Sequence, residues 1–470
     1  MEGAEVRDPA ALGTQLEELR SRVRGAVLAP DDAGFDEAAR VWNGMIERGP
    51  ALVVRCAGNA DVIGALDYAR DQGLPVSVRG GGHNVAGNAL ADGGVVIDLS
   101  PMNGVRVDLE RKTVRAGGGA RLADVDHETQ AFGLATPLGA VPRTGIGGLT
   151  LHGGLGFLTR RLGLSCDNLI AADVVTADGR LLQVDEQTHS DLLWALRGGG
   201  GNFGVVTSLE YRLHDVGPEV FVVMTIYPAA AAEDGLRVFH EVMSEAPEEL
   251  MALAILWTAG HEEPVPEEWH GEPVLVIVGC WSGPLEQGDE ATRRLREIAP
   301  PVVELSGQMP YLELQGLFDP EYPEGRRYYW KSIYIDALDD EVIATLSASA
   351  GRRPSPLSSV DVWALGGAMA REPQGGSAFA RRSHPYLIGV ESNWDDRDED
   401  GANVEWARAL VAELATRFPG GSYLNFGGFA EEGQADLPET YGENYARLRE
   451  LKATYDPDNV FSSTFNITRA

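Results

Sequence analysis

The sequence predicts an α+β protein: a glycine-punctuated N-terminal half, then an antiparallel sheet covered by helices. Two features carry that prediction. Up to about residue 217, short strands and helices are separated by glycine clusters around 80–82, 139–156 and 198–201. Past that point long β-rich runs, among them FVVMTIYP, MALAILWT, PVLVIVGCW, YYWKSIYI and YLIGVESNW, alternate with helical stretches such as AAEDGLRVFHEV and VEWARALVAELATRF. Such an order, without repeating βαβ units, gives an antiparallel sheet with helices packed on it. A chain of 470 residues, 44% of them hydrophobic, is long enough for two or three domains.

In chain order, residues 14–49 read as helices, with helical spacing in LGTQLEELRSRV and FDEAARVWNGMIE. ALVVRC reads as a strand, NADVIGALDYARDQ as a helix closed by Gly73, and LPVSVR as the strand leading into Gly80, Gly81 and Gly82. GVVIDLS is a further strand, GVRVDLERKTVRAGGG a hairpin of period two, and ARLADVDHETQAF a helix closed by Gly133. Glycine is too frequent in 139–156 for an ordinary helix or strand, because each one loses the most backbone entropy on ordering. A folded loop with something flat or phosphorylated against it is expected there. NLIAADVVTADGRLLQV is a second hairpin, and LRGGGGNFGVVTSLEYRL runs from a helix through glycines into a strand. These readings divide the chain into a helical segment 1–46, a first domain 47–217, a second domain 218–430 and a C-terminal segment 431–470.

Composition excludes several function classes. With 71 acidic against 39 basic residues, the formal charge is −32, a field that repels nucleic acid and anionic lipid alike. No apolar run of 18 residues exists to span a membrane, and the opening residues lack the apolar core of a secretory signal. Cys56, Cys166 and Cys280 are far apart and form no CxxC pair or zinc spacing. A cytoplasmic, reduced protein without a metal is expected. Neither glycine cluster has the strand–GxGxxG–helix order of a dinucleotide fingerprint, and there is no GxxxxGK[ST].

SVRGGGHNVAGN then poses a question: a histidine, His83, stands at the end of three glycines that follow a strand. A loop histidine that merely hydrogen-bonds is one answer. A cofactor-binding loop is the other, since glycines let backbone N–H groups approach a pyrophosphate where a Cβ would intrude.

Four stretches in order, PVSVRGGGHNVAGN…GGVVIDLSPMNGVRVD, GIGGLTLHGGLGFLTRRLGLSCDNL, WALRGGGGNFGVVTSLEYRL and YDPDNVF, resemble the berberine bridge enzyme-like oxidoreductases of the vanillyl-alcohol oxidase (PCMH-type) flavoprotein superfamily. The resemblance runs from about residue 47 to the C-terminus. It implies a two-subdomain FAD-binding unit over 47–217, an α+β substrate domain over 218–430 and a tail that returns to the FAD side. It implies FAD bonded at its 8α-methyl to His83 and, through the cysteine of GLSCDN, at C6 to Cys166. Other cofactor contacts implied are Arg79, Gly80, Gly81, Gly82, Asn84, Gly145, Gly147, Gly148, Gly153, Gly154, Asn168, Val205 and Asn459. Cys166 also reads as core filler, since free cysteine is commonly buried.

The activity implied is hydride transfer from an alcohol to FAD, with dioxygen as the acceptor and peroxide as the product. Alternatives are an amine oxidase or ring-forming enzyme, a dehydrogenase with another acceptor, and a non-catalytic flavin-binding protein. An alcohol needs a base for its hydroxyl proton. Family members acting on sugar-like alcohols use a tyrosine near Tyr441, which is the expected base, with Glu391 in reserve and Tyr423 and Tyr334 as further candidates. Two departures stand out: Phe426 where YxNY is common, and Arg143–Thr144 before the glycines, where Arg143 is placed to pair with a substrate carboxylate or a local acid.

Overall fold

The computed structural model describes residues 9–469, so part of the predicted N-terminal segment, 1–8, lies outside the described residues. The first half holds two main sheets and a two-stranded ribbon of Leu134–Ala135 with His214–Asp215. In one, Leu52–Arg55, Val95–Asp98 and Val76–Arg79 run parallel, with Ala26–Leu28 antiparallel at the edge. The other is antiparallel, in the order Val105–Asp108, Thr113–Gly117, Val205–Arg212, Leu169–Val175, Leu181–Asp185, so both predicted hairpins form. Helix Asn59–Gln72 ends at Gly73 in the left-handed conformation (φ 58°), which a glycine adopts without a Cβ penalty.

The second half is one antiparallel sheet. Its central order is Glu219–Pro228, Pro273–Trp281, Leu250–Thr258, Ser359–Ala364, Tyr386–Trp394, Arg327–Ile335. Helices Ala232–Glu245, Gly288–Arg296, Asp340–Ala350 and Asp400–Ala415 pack on it as predicted. Strand parity separates its faces. Tyr329, Ile333, Val360, Val362, Ile388 and Val390 meet the helices. Tyr328, Trp330, Tyr334, Trp363 and Leu387 point the other way, toward the first half. That second face is the wall of the site.

Two predicted elements differ. The helix expected through FDEAARVWNGMIE is only Phe35–Ala38, because Trp42 and Asn43 leave it to bridge the two halves. Trp42 N–H donates to Gly82 O (3.2 Å) and its indole to Tyr322 O (2.9 Å), while Asn43 Nδ2 donates to Val85 O and Tyr328 O. Conversely, part of the glycine-rich loop is a short helix, Ile146–Leu151. A Cβ on Gly147 would be in ordinary contact with Gly118 O, and Gly148 leaves its face of the helix bare.

The C-terminal segment is held against the first half. Lys452, fully buried, donates to Asp456 (2.7 Å) and to Asn202 O and Phe461 O, and Ser463 Oγ donates to Val76 O. Among the described residues, no helix is long and apolar enough to cross a membrane.

Candidate active site

An open cleft runs between the halves. Two glycine loops form its floor. Strand Val76–Arg79 feeds Gly80–Gly82 and His83, and these lie directly on the loop before helix Ile146–Leu151. The fit is tight: a Cβ on Gly81 would stand 2.3 Å from Gly145 N. Gly148 and Gly201 face the other way, their Cβ positions open to at least 4 Å, and so offer bare backbone along the cleft.

His83 lies in the cleft wall, its ring stacked on Trp42 (centroids 3.9 Å, 17°), and Trp42 is stacked in turn on Tyr328 (3.7 Å, 13°). Its Nε2 is buried without a hydrogen-bond partner. Burial, helped by Arg121 and Arg143, pulls its pKa down to about 3, so the imidazole is neutral and nucleophilic at ordinary pH. Ser77 Oγ, Asn88 Oδ1, His152 Nε2 and Trp363 Nε1 line the same cleft, also buried and unpartnered. Buried polar groups are normally satisfied, so these five atoms in one cavity mark the seat of an extended polar ligand. The donor set and the glycine floor fit FAD.

The structure brings Gly80, Gly81, Gly82, His83, Asn84, Gly145, Gly147 and Gly148 together along this cleft. Other predicted residues stand elsewhere. Arg79 is committed to Asp98 (2.7 Å) and to the carbonyls of Ala38 and Arg40. Gly153 packs under Phe379 and Tyr423, and Gly154 against Ser165. Val205 points into the core while its neighbours Gly204 and Val206 line the cleft, and Asn459 lies in the tail outside it. Arg143 is exposed and paired with Asp319 (3.1 Å).

Cys166 is a correction. It is fully buried behind the wall, its Sγ 3.6 Å from Asp167 Oδ1, and burial beside Asp167 pushes its thiol well up. The polar neighbours that suggested a site are satisfied internally. Ser165 Oγ donates to Gly154 O, Asp167 pairs with Arg382 (2.6 Å), and Asn168 Nδ2 donates to Leu162 O and Leu164 O.

Tyr441 is also outside the cleft. It ends the short helix Leu437–Tyr441, lies parallel to Tyr445 among Leu437, Leu448 and Phe465, and its buried hydroxyl has no partner. Burial pushes its phenol up, and nothing near it favours ionisation. Tyr334 is likewise buried outside the lining. Glu391 accepts a hydrogen bond from Tyr322 (2.6 Å) and faces Asp361; burial and that second carboxyl hold it protonated, the wrong state for a base.

The lining tyrosine is Tyr423. Its oxygen receives the N–H groups of Gly154 (3.1 Å) and Leu155 (3.0 Å) and Asn425 Nδ2 (2.9 Å). Asn425 Nδ2 also donates to Leu149 O, which fixes the orientation of that amide. Trp330, Trp363 and Phe426 complete an aromatic wall beside it. Composition does not single out Trp330 and Trp363, but the two-residue period of their strands puts them on the face opposite the helices.

Comparison with known proteins agrees with this geometry. Residues 50–185 match the FAD binding domain family and residues 422–468 the berberine and berberine-like family. An FAD-linked oxidoreductase of Dictyostelium discoideum is 32% identical over 431 residues, 91% of this chain and 90% of that protein. The structure of 6-hydroxy-D-nicotine oxidase from Arthrobacter nicotinovorans superposes with a TM-score of 0.82 at 28% identity, covering 95% of this chain and 98% of its own. A glucooligosaccharide oxidase from Acremonium strictum with a 6-S-cysteinyl, 8α-N1-histidyl FAD gives 0.83 at 22% identity over 98% of this chain and 100% of its own, a likeness of fold.

Proposed function

The chain belongs to the berberine bridge enzyme-like FAD-linked oxidoreductases, and from that premise we propose an oxidase that takes a hydride from a small alcohol and passes the electrons to dioxygen. The observation that carries this reading is the cleft itself, with a neutral, unpartnered histidine at the end of a glycine floor and a tyrosine on the facing wall. Bound FAD supplies the hydride acceptor and the reaction with oxygen.

The chain's own residues do the rest. Gly80–Gly82, Gly148 and Gly201 hold the cofactor by bare backbone, and His83, braced by Trp42, holds its ring end. In the Acremonium strictum protein the FAD is linked twice. Here the attachment is single, through His83, because Cys166 is a buried thiol behind the wall. Tyr423 replaces Tyr441 and Glu391 as the acceptor of the hydroxyl proton. Three donors converge on its oxygen, more than the two lone pairs of a phenol accept, and they suit the phenolate. Burial opposes them and pushes the phenol up to about 12, so the accepting form grows as pH rises.

Acid-precipitated protein stays yellow on this reading, with flavin on the His83 peptide and none on the Cys166 peptide. Tyr423→Phe slows flavin reduction by an alcohol substrate about 10²–10⁴-fold in anaerobic stopped flow, and wild type accelerates toward alkaline pH. A colourless pellet, or a Tyr423→Phe enzyme reduced at the wild-type rate, would refute the corresponding half of the proposal.

A further inference from the structure

The cleft has a distinctive charge arrangement at its aromatic end. Among the described residues lining it there is no lysine, arginine, aspartate or glutamate. On the same sheet face, next to the lining tryptophans, stand two buried carboxyls. Glu391 is directly opposite Trp330 across the strand pair, and Asp361 is two residues from Trp363. Only Gly389 lies between Asp361 and the lining ring of Phe426: a Cβ there would be 3.5 Å from one and 3.9 Å from the other.

These two acids lack what most of the other buried acids have; Asp126, outside this cleft, is the exception, with Gln315 alone on its carboxyl. Asp98, Asp167, Glu210 and Asp456 each hold an arginine or lysine, and Asp61 takes three backbone N–H groups. Asp361 and Glu391 have only each other, Ser359 (2.7 Å to Asp361) and Tyr322 (2.6 Å to Glu391). Tyr328 also faces Glu391, and Glu321 faces Tyr322, with Arg326 spent on Asp395. Beside them Trp363 Nε1, on a side chain 95% or so buried, is a free donor in the cleft wall and calls for an oxygen on the ligand.

We propose that this end of the cleft selects a substrate that is a small organic cation carrying an oxygen acceptor: its ammonium sits against Trp330, Trp363 and Phe426 in the field of the Asp361–Glu391 pair, and its oxygen takes the Trp363 N–H. The proposal rests on the oxidase reading for the word substrate, but the cation site stands on its own geometry. An aromatic wall backed by carboxylate is the usual chemistry of ammonium recognition. Burial keeps the pair protonated, raising Asp361 to about 7 and, together with the Asp361 carboxyl beside it, pushing Glu391 well up. A bound cation favours the charged form, so binding below that pH releases a proton.

The test uses the holoenzyme and two probes of equal shape, phenyltrimethylammonium and tert-butylbenzene, followed by quenching of tryptophan fluorescence and by calorimetry. The cation is expected to bind about ten-fold or more tightly, the scale set by a desolvated cation–π contact. At about pH 6 its heat of binding changes with the ionisation enthalpy of the buffer, revealing the released proton, while that of tert-butylbenzene does not. Asp361→Asn and Glu391→Gln, both nearly isosteric, abolish the preference and the proton release yet leave tert-butylbenzene binding intact. Equal binding of the two probes, no binding of either, or a preference that survives both substitutions overturns the proposal. Colourless protein that still prefers the cation would sink the flavin reading and leave the cation site standing.

Discussion

At the scale of single residues, the floor of the cleft depends on the absence of side chains. A Cβ on Gly81 would meet backbone, not a movable side chain, so Gly81→Ala must push apart the two loops that hold the cofactor. We expect a loss of about 1–3 kcal/mol in thermal unfolding, together with poor flavin loading; an unchanged melting curve would show that the loops are looser than they stand here. The acid pair gives a prediction of opposite character. The folded pKa of Asp361 lies above its ordinary 3.8, so the folded state binds the extra proton between about 4 and about 7, and stability falls as pH rises through that window. Asp361→Asn should flatten this decline and be the more stable protein at pH 8, with the difference vanishing near pH 4; parallel melting curves across that range would count against it. Residues of the glycine floor were readable in the sequence because backbone chemistry dictates their type. Cys166, Asn168 and Tyr441 were misplaced because a polar or nucleophilic side chain looks the same in sequence whether its partners are ligand or protein.

At the scale of elements, the long strands were the most legible part of the chain. Their alternation predicts the sheet, and the same period sorts Trp330 and Trp363 from Tyr329 and Val362. The short helix Ile146–Leu151 was not legible, since its glycines argue against a helix, and Gly148 serves instead to leave bare backbone on the cleft. The C-terminal helix Asn444–Tyr455 depends on one buried interaction. Lys452 ties Asp456, Asn202 and Phe461 together, and the tail beyond it places Phe461, Ser463 and Thr464 on the cleft. Replacing Lys452 with alanine leaves Asp456 buried and unpaired, a cost of about 3–5 kcal/mol. Chemical denaturation should report that loss, and a change below 1 kcal/mol would mean that water takes the place of the ammonium.

At the scale of the whole molecule, the charge of −32 and the cation-selective end of the cleft act in the same direction. A negative protein gathers cations and repels anions over distances of about a Debye length, roughly 10 Å at 0.1 M salt. Association of phenyltrimethylammonium should therefore slow as salt is raised from 0.02 to about 0.5 M, while that of tert-butylbenzene stays flat; equal salt dependence would assign the effect to the probe and not to the protein's field. One further property follows from residues 42–44. Trp42 and Asn43 bind the histidine loop and the substrate sheet at once, and Gly44 N–H donates to Arg326 O. The halves therefore cannot swing apart on a free hinge. Separating the halves around the cofactor's seat requires this short lace to come undone, a local unfolding with its own free energy. Amide hydrogen exchange at Gly44 and Tyr328 would then run on the same clock as the escape of unlinked flavin from a His83→Ala protein, and the hydrogen bonds of one irregular segment would decide how long the enzyme stays yellow.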